Sequence, residues 1–231
     1  MLELTGVGFR YPDGTTALAD LSLRLADGER VAVLGANGAG KSTLLQLLNG
    51  LLRGSGLITV DGLTLAPATL RQIRQRVGLV FQDPDDQLFC ASVREDIAFG
   101  PRQAGLPADA VAERVSEALA AMGIADLAAR HPHHLSLGQK KRAAIATTLA
   151  MRPGVLVLDE PSASLDPRTR RELIALLGAL PCTLVVASHD LALVRDLCPR
   201  SIVLDAGRLV ADGPTATILT DAPLLARSGL S

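Results

Sequence analysis

The chain has 231 residues, 48% apolar and 20% charged, which excludes a disordered segment or a fibre and leaves ample length for a buried core. Lys and Arg number 23 against 24 Asp and Glu, and the resulting net charge of −1 excludes the basic face of a general polyanion binder. Aromatic residues are 2% with no Trp, so the core is aliphatic and offers no base-stacking surface for single-stranded nucleic acid.

In chain order, Leu2 to Phe9 and Leu21 to Leu25 alternate apolar and polar residues around Pro12-Asp13-Gly14, which predicts an antiparallel ribbon. Val31 to Leu34 is a short buried strand, followed by a Gly-rich turn and a helix from Lys41 to about Leu52. Leu57 to Val60 and Val77 to Phe81 read as two more strands, with Arg71, Arg74 and Arg76 on a solvated helix face between them. From Ser92 to Met122 the apolar spacing is helical, and a further helix is expected from Ser136 to Met151. Strands at Val155 to Leu158, Thr183 to Ala187 and Ile202 to Leu204 then alternate with helices from Pro167 to Leu177 and from Asp190. This order predicts an α/β fold with a mostly parallel sheet covered on both faces, and the stretch from about 84 to 150 reads as a helical insertion.

Cys90, Cys182 and Cys198 have no CxxC spacing and read as reduced thiols, with neither a disulfide framework nor a zinc site. Glu3 and Arg10 interrupt any signal-peptide pattern, and no apolar run approaches the roughly 18 residues of a membrane span, so attachment to a membrane is expected to come through other chains. His131, His133 and His134 flank Pro132, and we read them as structural rather than as metal ligands.

Three motifs carry chemistry. Gly35-Ala36-Asn37-Gly38-Ala39-Gly40-Lys41-Ser42 matches the P-loop pattern, with a strand before and a helix after. Glycines let the backbone N–H groups wrap a polyphosphate, and the helix start points its positive end at it. Lys41 is expected to reach the β- and γ-phosphates and the Ser42 hydroxyl to coordinate Mg2+. Val155-Leu156-Val157-Leu158-Asp159-Glu160 places two carboxylates at the exit of a buried strand, where open α/β sheets bind ligands. Asp159 is expected to hold Mg2+ through its water shell and Glu160 to polarise the attacking water. Leu135-Ser136-Leu137-Gly138-Gln139 opens a helix capped by Ser136 and runs into Lys140, Lys141 and Arg142, which read as a solvated basic turn.

The order of P-loop, Gln82, Leu-Ser-x-Gly-Gln, Asp159-Glu160, Ser164-Leu165-Asp166 and Ser188-His189-Asp190 resembles the ATPase subunit of ABC transporters over essentially the whole chain. Leu137 departs from it, standing where the commonest signature has Gly. The resemblance implies a single P-loop ATPase domain: residues 1–83 and 151–231 form the nucleotide-binding core with an antiparallel β subdomain, and about 84–150 the helical signature subdomain. It implies that Tyr11 stacks on adenine, that Gln82 senses Mg2+ and water, and that His189 contacts the γ-phosphate. The nucleotide-binding set it implies is Gly35, Ala36, Asn37, Gly38, Ala39, Gly40, Lys41, Ser42 and Thr43, with Ser136, Gly138, Gln139 and Asp166 acting on the nucleotide of a second copy. Two ATP molecules are then sandwiched between two chains, with Ser42, Gln82 and Asp159 around Mg2+.

Phe81-Gln82-Asp83-Pro84-Asp85-Asp86-Gln87-Leu88-Phe89 and Glu95-Asp96-Ile97-Ala98-Phe99-Gly100-Pro101 are similar to ATPases of energy-coupling-factor importers. Gly138 to Arg142 and Asp212-Gly213-Pro214 look most like the cobalt/nickel branch, with a vitamin importer such as one for biotin as the alternative. That likeness implies a cytoplasmic-face subunit, in a homodimer, held by an integral-membrane coupling component and a substrate-binding membrane component. Asp83, Asp85 and Asp86 are the charged partners for arginine-bearing helices of the coupling component, over an apolar floor of Leu88 and Phe89. A non-transport ABC ATPase acting on nucleic acid or ribosomes is the more remote reading; it lacks the long coiled-coil insertion or basic extension expected there.

Overall fold

A computed structural model describes residues 1–230. Alternation sets its first strands: β1 (Leu2–Arg10) buries Leu2, Leu4 and Val7 and pairs antiparallel with β2 (Thr16–Leu25). After β3 (Arg30–Leu34) and α1 (Lys41–Leu48), β4 (Ser55–Val60) and β5 (Leu63–Thr64) complete a four-stranded antiparallel sheet in the order β2-β1-β4-β5. The chain continues through α2 (Leu70–Arg76), β6 (Val77–Val80), α3 (Val93–Gln103), α4 (Ala108–Ala121), α5 (Leu137–Leu149) and β7 (Val155–Asp159). It ends with α6 (Pro167–Gly178), β8 (Thr183–Ala187), α7 (Leu191–Leu197), β9 (Arg200–Asp205), β10 (Arg208–Pro214), α8 (Thr215–Ile218) and α9 (Ala222–Arg227).

The second sheet is six-stranded, in the order β10-β9-β3-β8-β7-β6, parallel throughout except for the β10–β9 hairpin. Its strands are nearly continuous apolar runs because both faces are covered. Ala32, Leu34, Leu156, Leu158, Leu184 and Val186 face a core shared with α3 to α7. Their alternates Val31, Val33, Val155, Val157, Val185 and Ala187 face α1 and the antiparallel sheet. Among the described residues no helix is long and apolar enough to cross a membrane.

The structure corrects several expected boundaries. α1 stops at Leu48 rather than Leu52, where Asn49 closes the helix and its side chain donates to Val77 O at 2.5 Å. The single helical stretch expected over Ser92 to Met122 is two helices, because Gly105 and Pro107 stand between them and Pro107 cannot continue a preceding helix. Strand β10 escapes sequence reading because only one face packs and the other is exposed. Its signal is the turn Ala206-Gly207, both at positive φ, which joins it to β9. Arg74 and Arg76 are not simply solvated: they donate to the carbonyls of Gly50 and Val60, each at 3.2 Å.

Candidate functional site

Because β3, β6, β7 and β8 are parallel and in register, the loops that follow them emerge along one edge of the sheet. After β3 comes the P-loop. Gly40 sits at φ 103 with space for nothing more than hydrogen: a Cβ there would stand 2.5 Å from Ala17 O. The helix it opens has neither a side-chain cap nor an acidic residue in its first turn, so its first N–H groups point into the loop without a side-chain partner. Lys41 is 7% exposed and lies across the loop, donating to Gly35 O at 2.8 Å and Ala36 O at 3.0 Å. Thr43 Oγ1 shares a 3.0 Å hydrogen bond with the hydroxyl of Tyr11, whose half-exposed ring stands edge-on to Phe9 beside the start of α1.

Asp159, at the end of β7, lies near the Ser42 hydroxyl, and burial pushes its carboxyl above the usual aspartate range. Its Oδ1 is buried without a partner. A desolvated carboxylate oxygen with one free lone-pair face, next to a hydroxyl oxygen, is a donor set that suits a hard divalent cation. The next residue, Glu160, adopts φ 44 and is 6% exposed. Its N–H donates to Ala187 O at 2.9 Å. Its carboxylate accepts from Ser188 Oγ at 3.2 Å and from the His189 backbone N–H at 3.4 Å, and His189 Nδ1 lies 2.9 Å from it. The imidazole is itself 65% exposed, so one side of this pair meets solvent. Gln82 follows β6, next to β7, and its side chain is exposed.

A second group is built on the starts of α5 and α6. Ser136 and Gln139 form a reciprocal capping box, Ser136 Oγ accepting from Gln139 N at 3.3 Å and Gln139 Oε1 from Ser136 N at 3.0 Å. Gly138 is buried against α6: a Cβ there would meet Thr169 Cγ2 at 2.4 Å. Asp166 caps α6, accepting from the N–H groups of Arg168 and Thr169 and from the Thr169 hydroxyl, and these bonds, the hydroxyl first, hold its carboxyl below the usual range. Among the described residues neither Ser136 nor Gln139 hydrogen-bonds to the P-loop, so within one chain the two groups stand apart.

The basic turn after Gln139 is not solvated as expected. Lys140 holds Asp85 at 2.7 Å, Arg142 holds Glu172 at 2.5 Å, and Lys141 is 5% exposed. The signal for Lys141 was its place on the buried stripe Gly138, Lys141, Ile145, Thr148, which runs at helical spacing. Sequence reasoning also missed Gln87, whose amide donates to Ala144 O, Thr147 Oγ1 and Thr148 Oγ1 at 2.8, 2.7 and 3.0 Å and pins the acidic loop to α5. In that loop Leu88 is buried, so the exposed apolar surface is instead Phe89 with Phe99, edge to face at 5.0 Å.

A P-loop beneath an open helix start, with an Asp-Glu pair at a neighbouring strand end, defines a nucleoside-triphosphate-hydrolysing α/β protein. Residues 18–163 match the family model described as ABC transporter, and the chain belongs to that family as an ATPase subunit of the energy-coupling-factor type, hydrolysing ATP in the service of transport. It is 48% identical over 236 residues to the energy-coupling factor transporter ATP-binding protein EcfA of Methanothermobacter thermautotrophicus, covering 100% of this chain and 76% of that one. Among solved structures it is similar to CbiO1 of Clostridium perfringens, part of the ABC transporter complex CbiONQ, with TM-score 0.87, 39% identity and coverage of 99% and 94%. It is also similar to an ATP-binding cassette solved as a post-hydrolysis dimer with ADP and Pi, with TM-score 0.84, 28% identity and coverage of 93% and 99%.

Proposed function

We propose that two copies of this chain close on ATP, at the cytoplasmic face of a membrane, to drive an importer of a transition-metal ion, cobalt or nickel. One observation carries the mechanism: the Glu160 carboxylate, buried at a strand exit, is paired with an exposed imidazole 2.9 Å away. Glu160 takes the proton of the attacking water, and His189 orders the water and the γ-phosphate beside it. The glycine loop and Lys41 hold the β- and γ-phosphates, Thr43 extends that cradle, and Tyr11 stacks on the adenine. Ser42, Asp159 and Gln82 are the residues that would hold Mg2+, and the orphaned Asp159 oxygen supports this. The ion supplies charge neutralisation at the phosphates when bound.

The second group serves the other copy's nucleotide. Ser136 Oγ is used as an acceptor in the cap, which leaves its O–H free to donate to a phosphate across the interface. Gly138 and Gln139 bring the helix start there, and Asp166 lies alongside. ATP is then the adhesive of the dimer, and loss of its γ-phosphate opens it. The integral-membrane coupling component docks its arginines on the acidic loop, with a substrate-binding membrane component beyond it. Since Lys140 already occupies Asp85, the acids of this loop without an ion pair among the described residues are Asp83, which accepts from the Asp85 N–H, and Asp86, in the same loop as Phe89. The motif resemblance favours a metal cargo over a vitamin.

The test uses the full chain assembled with its membrane components. Glu160→Gln is expected to bind ATP, dimerise and lose about 100-fold or more in turnover. Asp83→Lys with Asp86→Lys is expected to bind ATP and fail to assemble. Vesicles bearing the intact complex are expected to accumulate cobalt or nickel. Normal turnover by the first variant, normal assembly by the second, or uptake of a vitamin alone overturns the corresponding part.

A further inference from the structure

Three consecutive cations leave the start of α5 toward three different parts of the chain. Lys140 goes to the acidic loop, Arg142 to α6, and Lys141 inward, where its ammonium donates to Glu160 O at 3.0 Å and to Gln82 O at 3.3 Å. Lys141 sits where burial opposes its charge. Burial pushes its pKa down, with Glu160, Asp83 and Asp159 pushing it back up. A side chain in that position needs its contacts, and those contacts are the carbonyls of two residues of the ATPase machinery.

Glu160 is held at a positive φ, uncommon for a residue with a side chain. Both of its peptide groups are fixed: its N–H by Ala187 O at 2.9 Å, and its carbonyl by Lys141 at 3.0 Å together with the Ala163 N–H at 3.2 Å. With the backbone clamped on both sides, the side chain starts from a fixed point, and its carboxylate lies against Ser188 and His189. We infer that Lys141 is a positioning residue: from the signature helix it holds the carbonyls of Gln82 and Glu160, and so sets the aim of the Glu160 carboxylate and ties it to the placement of α5. The inference rests on Glu160 as the base.

Lys141→Met keeps the length of the side chain and removes its donors. Lys141→Gln keeps N–H donors and removes the charge. In MgATP hydrolysis by the full chain, Lys141→Met is expected to lower kcat about 30-fold with KM within about threefold, and Lys141→Gln to retain a kcat about threefold to tenfold above it. In a Glu160→Gln background, Lys141→Met is expected to add no further loss, because it acts through that carboxylate. A kcat within twofold of the parent, a KM rising in step with the fall in kcat, equal loss in Met and Gln variants, or full additivity overturns the inference. Should the Met variant not fold, Lys141→Gln decides it: a kcat loss of about threefold to tenfold at unchanged KM supports it, and no loss or a parallel change in KM overturns it. Glu160→Gln alone separates the two claims: if it turns over normally, the base assignment fails; if it is inactive while Lys141→Met is normal, only the role of Lys141 fails.

Discussion

The molecule has two helix starts built in opposite ways. α1 opens on Gly40, with no side chain satisfying its N–H groups and no acid in its first turn. α5 opens on a complete capping box, and its next residues are three cations, each bound within the chain. An uncapped start is unstable alone and becomes a receptor, because an anion can supply the missing acceptors. A capped start is complete and becomes a mount, from which side chains reach other elements. On the function proposed above, the contrast puts the nucleotide's own phosphates at α1 and makes α5 the piece that connects.

Lys41→Ala strikes the receptor and is expected to have the largest effect. MgATP affinity, measured by calorimetric titration, should fall about 100-fold or more while the circular dichroism spectrum stays native. Unchanged affinity would mean that α1 does not receive the phosphates.

Gly138→Ala strikes the mount. Its new methyl meets Thr169 Cγ2 at 2.4 Å, so urea unfolding should show a loss of about 1–3 kcal/mol. Thr169→Ser removes that methyl and keeps the hydroxyl bonded to Asp166, and in the double variant most of the loss should return. Absence of rescue would show that glycine stands at 138 for some other reason than packing against α6.

The smallest change is Ser136→Ala, which removes half of the capping box. Unfolding should report about 1 kcal/mol, measured without nucleotide so that only the cap is read. A loss near zero would erase the difference between the two starts, since α5 would then tolerate being uncapped as α1 does.

The P-loop, the Asp159-Glu160 pair and the helix start at Ser136 were legible because each is local: its function follows from a few adjacent residues and a known backbone turn. The alternation of strands was legible too, since it reflects which residues face which core. The two-helix break at Gly105 and Pro107 was blurred by an apolar spacing that continues on both sides of it. Lys141 was misplaced because composition reports a residue's affinity for water, while burial depends on which element packs over it; Leu88 was placed on a docking floor by the resemblance, and the fold instead buries it as its apolar side chain favours.

By itself, then, the amino-acid order determined the class of the sheet, the phosphate loop and the chemical identity of the acids at the strand end. Only the tertiary structure decided that Glu160 is turned to a positive φ and clamped from both sides, that Asp159 keeps an oxygen without a partner, and that the basic turn is consumed internally. The physical reason is separation along the chain. Beyond the local turn from Ala163 N–H, Glu160 gets a carbonyl partner from α5 and its N–H partner from β8, and no local pattern encodes that meeting of three segments, which only a packed core brings together.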